Sequence, residues 1–193
     1  MKKIEVFKTE INYVKDEERR KDLKILIKLL PDYFFEIPAA STGKYHPDFA
    51  QGEGGLVRHT KVAVRIANEL LTNNTVGAKF TDKDKDLIIM ALTLHDGVKS
   101  GMEHSKYTKF DHPLLVSKLI MENKDKLSLE IDDVRKMCSM IESHMGEWTY
   151  DSYQQKEVLP KPRTAEQRFV HMCDFLASRK FLDVKFENGN IIG

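Results

Sequence analysis

Thiols are nearly missing from this chain: only Cys138 and Cys173 occur in 193 residues, and they form no Cys-x-x-Cys pair. That excludes a thiolate-built structural zinc site and a disulfide framework. Both cysteines fall among apolar neighbours in helical patterns, so each is expected as a buried free thiol. A surplus of charge is missing too. Lys+Arg 31 against Asp+Glu 30 leaves a formal net charge of +1, which gives no global footprint for nucleic acid or a membrane surface. No apolar run reaches the length of a bilayer span, and Met1-Lys2-Lys3-Ile4-Glu5 lacks the apolar stretch of a signal peptide. The expected location is the cytoplasm, with no membrane partner. There is no Gly-rich phosphate loop, no serine-nucleophile motif and no His-Glu-x-x-His stretch, which argues against P-loop kinases, serine hydrolases and zincins. No repeat, low-complexity tract or Pro/Gly-rich linker divides the sequence, so residues 1–193 are expected to form one domain.

What is present is a series of amphipathic patterns. Hydrophobic residues at 41% and charged residues at 32% are the balance of a folded domain with its own core. A first helix is expected from about Asp16 to Leu30, with Leu23, Ile25, Leu26, Ile27, Leu29 and Leu30 as its apolar side and Pro31 as its stop. Residues 32–54 carry Pro38, Gly43, Pro47, Gly52 and Gly54 and are expected to be mostly loop, of a length that compact domains keep for function. From about Gly55 to Leu71, the residues Leu56, His59, Ala63, Ile66, Ala67 and Leu70 recur at spacings of three and four, which makes one helical face. Thr81 caps a third helix that runs through Leu87, Ile88, Ala91 and Leu94 to His95, with Gly97 as its stop. His112-Pro113 opens a fourth, and about Glu130 to His144 forms a fifth that Gly146 ends. Residues 147–163 read as a second long loop. Thr164 with Gln167 is a capping box for a last helix, expected to reach about Phe181, and Asn188-Gly189-Asn190 is a turn signal joining two short strands. The fold class is all-α.

His59, His95, His112, His144 and Asp174 share a peculiarity. Each lies on or beside the apolar face of its helix, where a polar group is costly unless it is paired or ligated. A single such residue reads most simply as a core side chain satisfied by a backbone carbonyl. Five in concert, with Asp96 as a sixth, point to a metal centre. Nitrogen and carboxylate donors without thiolate suit Mn, Fe, Co, Ni or Zn.

The approach to His59 reads Phe34-Phe35-Glu36-Ile37-Pro38-Ala39-Ala40, then Tyr45-His46, then Gly54-Gly55-Leu56-Val57-Arg58-His59-Thr60. Ser143-His144-Met145-Gly146, Pro160-Lys161-Pro162, Glu166 and Asp174 follow. Together with His95-Asp96, these segments resemble the HD superfamily of metal-dependent phosphohydrolases, whose pattern is His…His-Asp…Asp on a helical bundle. Over residues 34–181 they are most similar to the HD domain of bacterial 3′→5′ exoribonucleases. The resemblance implies that His59, His95, Asp96 and Asp174 ligate one ion, and that Asp96 bridges to a second ion held by His112 and His144. Two divalent transition metals in such a site hold a bridging hydroxide as nucleophile and steady both attacking and leaving oxygens. Asp96 and Lys99 then carry the chemistry, with Lys99 offsetting charge on the phosphate. Three positions depart from the pattern: Gly97 is displaced by one place, Met145 replaces the second His of His-His-Gly, and His46 stands alone after Tyr45. Residues 1–33, which precede the match, hold no counterpart of the exoribonucleases' oligonucleotide-binding barrel, which favours a small nucleotide substrate over processive RNA degradation.

Four residues are candidates for substrate contact: His46, His104, Trp148 and Arg163. Trp148, with Tyr150 and Tyr153, follows His144 on a loop, where an aromatic ring stacks on a base or pins its own loop. The expected partner is a nucleotide or a short single-stranded oligonucleotide. The sequence supports three readings in order: a phosphohydrolase of such substrates, a distributive 3′→5′ nuclease on single strands, and a nucleotide-sensing module without turnover. No protein partner is inferable.

Overall fold

The computed structural model describes residues 3–40 and 46–192; Gly43, Tyr45 and the first two residues, used in the sequence reading, lie outside the described residues. The architecture is all-α, with eight α-helices and two small hairpins among the described residues. α1 (Lys3–Val6) and α2 (Lys8–Tyr13) come before α3 (Glu17–Leu29), where a helix from about Asp16 was the first expected. Segments this short are not helical by themselves. Phe7, Ile11 and Val14 are buried against the core, and that packing holds them. Asp16 caps α3 by accepting the Arg19 N–H at 2.9 Å.

The loop after α3 carries two short 3-10 turns, Asp32–Phe35 and Asp48–Ala50, and crosses the start of α4 (Gly55–Thr72) at close range. The Ala39 N–H donates to the Ala50 carbonyl at 3.0 Å and the Leu56 N–H to the Ile37 carbonyl at 3.0 Å. A Cβ at Gly55 would lie 2.3 Å from the Ala50 oxygen, so only glycine admits the crossing. Gly54, at φ +68°, makes the turn into the helix.

α5 (Asp82–Leu94) opens with the Thr81–Asp84 capping box and is buried without interruption from Asp86 to Leu94. A helix apolar on all sides belongs in the middle of a fold, and α5 packs against α2, α3, α4, α7 and α8. The Asp86 carboxylate accepts the Lys15 N–H at 2.7 Å, the Asp16 N–H at 3.1 Å and the Arg19 guanidinium at 2.9 Å. It thereby ties α5 to the start of α3. A hollow of about 320 Å³ beside Asp86, lined also by Tyr13 and Asn68, is the gap left at this joint.

α6 (His112–Glu122) and α7 (Ile131–Glu142) pair with each other, and α8 (Ala165–Ala177) lies along α4. Lys136 on α7 bridges Asp84 at 2.6 Å and Glu166 at 2.7 Å, which fixes the start of α8 against α5 and α7. Two local expectations are corrected. α8 stops at Ala177, not near Phe181: Ser178 caps it, its N–H turned to the carbonyls of Asp174 and Phe175, and Phe181 is 78% exposed. The stretch 147–163 is not all loop, since β1 (Tyr150–Asp151) pairs antiparallel with β2 (Lys156–Glu157). The C-terminal hairpin, β3 (Lys185–Glu187) with β4 (Asn190–Ile192), turns on Asn188 and Gly189 at φ 50° and 76°, the left-handed pair a two-residue hairpin requires. No helix among the described residues is long and apolar enough to cross a membrane.

Candidate metal centre

Five helices and their ends deliver six side chains to a single point in the core. His59 comes from the second turn of α4, His95 closes α5, and Asp96 follows it. His112 opens α6, His144 lies just past the end of α7, and Asp174 sits in α8. The four imidazoles and Asp96 are buried, and the Asp174 side chain is 18% exposed. His59 Nε2 stands 2.8 Å from Asp174 Oδ1, and His95 Nε2 stands 3.3 Å from the same oxygen. Asp96 turns its Oδ1 to His112 Nε2 at 2.9 Å and His144 Nε2 at 3.7 Å. Its Oδ2 meets Lys99 Nζ at 2.5 Å and His95 Nε2 at 3.5 Å. Two groups result, His59/His95/Asp174 and His95/Asp96/His144; within each, the ligand atoms lie within 4.8 Å of one another. His95 belongs to both, which the sequence did not suggest.

Three of the histidines are held by one device. His95 Nδ1 lies 2.6 Å from the Leu92 carbonyl, His112 Nδ1 2.7 Å from that of Lys109, and His144 Nδ1 2.7 Å from that of Ile141, in each case three residues back. A carbonyl accepts only, so Nδ1 carries the hydrogen and Nε2 presents its lone pair to the centre. The ordinary core-histidine reading and the ligand reading are thus both met, by opposite nitrogens of one ring. His59 lacks that anchor; His46 packs edge-on against it, with ring centroids 5.0 Å apart.

The donor set fits a divalent cation. His95 Nε2, His112 Nε2 and Asp96 Oδ1 are buried and have no hydrogen-bond partner, as is His59 Nδ1. Buried polar atoms left so are costly, and three of the four converge on Asp96. Electrostatics concur. Burial by itself raises the Asp96 carboxyl, but Lys99, His95 and His112 hold it well below the usual carboxylate range. Asp174 is held low against burial by its hydrogen bond with His59 and by the His95 imidazole beside it. Burial, with His95 beside it, pushes the His144 imidazole down to about 3, so it is neutral and free to ligate.

The displaced glycine has a local reason. A Cβ at Gly97 would lie 2.5 Å from Leu30 Cδ2, so the turn after Asp96 packs flush on the end of α3. Val98, in the place the resemblance gives to glycine, is fully buried, and Lys99 keeps its register to Asp96.

The centre opens into a cavity of about 670 Å³. One wall is a stripe of α8 and its end, formed by His171, Asp174, Phe175, Ser178 and Arg179. His46, Lys99, Met145 and Trp148 face it from the other elements. Trp148 is 48% exposed and lies near-parallel to Phe175, at 6.4 Å between centroids and 19° between planes. Arg179 covers Phe175, its guanidinium carbon 4.1 Å from the ring centroid. Two expected substrate contacts are not among the lining residues. His104 is exposed and stacks on Tyr33 at 4.7 Å, and Arg163 is exposed ahead of the α8 cap. His171 went unremarked in the sequence, although its spacing from Asp174 and Phe175 puts all three on one face of α8.

A helical bundle with a buried His/Asp cluster beside a cavity defines a protein built to hold divalent metal. The HD domain family matches residues 44–178, well over half of the chain, and the chain belongs to that family. It is an enzyme of the HD type, a family of metal-dependent phosphohydrolases that bind divalent ions. No curated protein and no solved structure matches the chain.

Proposed function

We propose that this enzyme cleaves a phosphoester or phosphoanhydride bond of a nucleotide or short oligonucleotide, with two divalent ions held by His59, His95, Asp96, His112, His144 and Asp174. The observation that carries this reading is the clustering of those six side chains, four of which (Asp96, His112, His144 and Asp174) line the cavity whose rim bears the Trp148–Phe175–Arg179 stack. The bound ions supply Lewis acidity and a water-derived nucleophile at neutral pH. Asp96, with its two oxygens turned to different partners, would help to hold the ions, which would supply the activated water. Lys99 offsets negative charge as it accumulates on the phosphoryl oxygens. The half-exposed Trp148 offers its free face to a base. Arg179 and His46 line the cavity and would contact the phosphate and sugar of such a substrate.

The test is a panel of mononucleotides, cyclic nucleotides, dinucleoside polyphosphates and short oligonucleotides with Mn, Fe, Co, Ni or Zn, with every product identified. Release of phosphate, pyrophosphate or triphosphate from mononucleotides supports the reading. Turnover undiminished after metal removal, or in a metal-free Asp96→Ala enzyme, rejects it.

A second reading, a distributive 3′→5′ nuclease on single-stranded RNA or DNA, draws support from the resemblance to exoribonuclease HD domains. It draws more from the β1–β2 hairpin beside Trp148, which exposes Tyr150 by 49% and Tyr153 by 98%. Stepwise release of nucleoside monophosphates from a labelled oligonucleotide favours it over the first.

A further inference from the structure

His144 differs from the other metal-facing histidines in being held twice. Its ring is anchored through Nδ1 to Ile141, as described, but its own backbone carbonyl also accepts from outside its segment, from His171 Nδ1 at 2.7 Å. His171 is half-buried on α8 and lies on the cavity wall. Its ring is seated by a second feature. Gly146 follows His144 in the left-handed region at φ +69°, and a Cβ there would lie 2.1 Å from Cε1, 2.4 Å from Nε2 and 2.6 Å from Nδ1 of His171. The ring therefore fills the notch that the missing side chain leaves. The turn after α7 and His171 fit each other in both hydrogen bonding and shape.

We propose that His171 is a positioning residue for the metal centre. It fixes the 144–146 turn against α8, and so sets where His144 Nε2 stands relative to Asp96. His171 lies one helical turn before Asp174, on the same face. It thus couples the His59/His95/Asp174 group to the His95/Asp96/His144 group through α8. This rests on the reading that the His/Asp cluster holds divalent ions, and it adds a role for a residue outside that cluster. Partners that orient a ligand from behind govern metal affinity by about 10- to 100-fold.

The measurement is calorimetric titration of the metal-free protein with Mn²⁺, with bound metal counted by elemental analysis. His144→Ala first identifies the binding event that depends on His144. His171→Leu, which keeps bulk but loses the donor, is expected to weaken that same event about 10- to 100-fold. His171→Asn, whose side-chain amide places an N–H where Nδ1 stood, is expected to stay within a few-fold of wild type. The double variant His171→Leu/His144→Ala is expected to bind no worse than His144→Ala alone, because coupled residues are not additive. In turnover, the loss in His171→Leu is expected in kcat, with KM nearly unchanged. Unaltered Mn²⁺ binding in His171→Leu, equal loss in the Leu and Asn variants, or simple additivity in the double variant each overturns the proposal. Where circular dichroism shows that His171→Leu does not fold, His171→Phe takes its place: it keeps a ring for the notch and removes the donor, and the same loss in that binding event is expected. Unaltered Mn²⁺ binding in His171→Phe overturns the proposal. A wild-type protein that binds no divalent ion would instead defeat the functional reading itself.

Discussion

Lys99 Nζ and Asp96 Oδ2 are 2.5 Å apart, on residues separated by one turn of chain, at the floor of the cavity. The ammonium therefore lies against the carboxylate that also faces His112, close enough to meet a phosphoryl oxygen bound there. Lys99→Met is expected to lower kcat by roughly 100-fold or more, the scale of removing one charge-stabilising donor, while metal stoichiometry stays at the wild-type value. Steady-state kinetics with parallel metal analysis checks this. Equal loss of metal in Lys99→Met and Asp96→Ala would show that Lys99 only supports the ligand.

Trp148→Ala is expected to raise KM for a nucleotide roughly five- to hundredfold, the range that loss of one base-stacking ring covers. A phosphoester without a base should be hydrolysed almost as before. A parallel rise in KM for both substrates would show that Trp148 merely braces Phe175, and Trp148→Phe should restore most of the nucleotide affinity.

The metal-free protein should lose stability as the pH falls from the ordinary imidazole value of 6.5 toward 3. Burial pushes both His46 and His144 down to about 3. The unfolded chain then takes up two protons that the folded chain refuses, so acid favours unfolding over that window. His95 acts in the opposite sense: burial lowers it, but Asp96 and Asp174 outweigh burial and hold it raised, which offsets part of the loss. His46→Gln should flatten the slope of denaturation midpoint against pH between about 6.5 and 4. An unchanged slope would remove His46 from this account.

Excess Mn²⁺ should raise the melting temperature of chelator-treated protein, by the equivalent of about 2.7 kcal/mol when the ion stands at a hundred times its dissociation constant. The shift should shrink in His59→Ala and in His144→Ala. Melting curves that do not respond to metal in the wild type would contradict the fit of the donor set.

Gly55→Ala should destabilise the fold more than Gly97→Ala. The added methyl at Gly55 would lie 2.3 Å from the backbone oxygen of Ala50, whereas at Gly97 its nearest neighbour is the tip of the Leu30 side chain at 2.5 Å and its nearest backbone atom, the Leu94 oxygen, is farther at 2.9 Å. Overpacking of this kind costs about 1–3 kcal/mol, and urea denaturation ranks the two.

The six ligand candidates were legible because a polar side chain on an apolar helical face is an anomaly that periodicity exposes. His59 between Leu56 and Ala63 is visible in a line of text. Periodicity also gives the side of a helix but not its neighbours across the core, which is why the sharing of His95 by both groups needed coordinates. That His104 and Arg163 do not line the cavity was not legible for a related reason. They sit in irregular segments, where no repeat fixes the direction of a side chain. The first two helices escaped because four and six residues carry too little pattern, and their order comes from burying Phe7, Ile11 and Val14. The β1–β2 hairpin depends on an Asp151 carboxylate that gathers the Tyr153 and Gln154 N–H groups, a local bond without a strong turn dipeptide to announce it.

The His59–Asp174 pair spans 115 positions of chain and closes at 2.8 Å. During synthesis, α4 emerges from the ribosome long before α8, so the first histidine waits while most of the fold is made without its carboxylate. A nascent or clipped chain that ends before Asp174 has its His-Asp dipeptide but no complete ion seat. Capture of an ion by that seat would therefore mark a molecule whose last helix has docked.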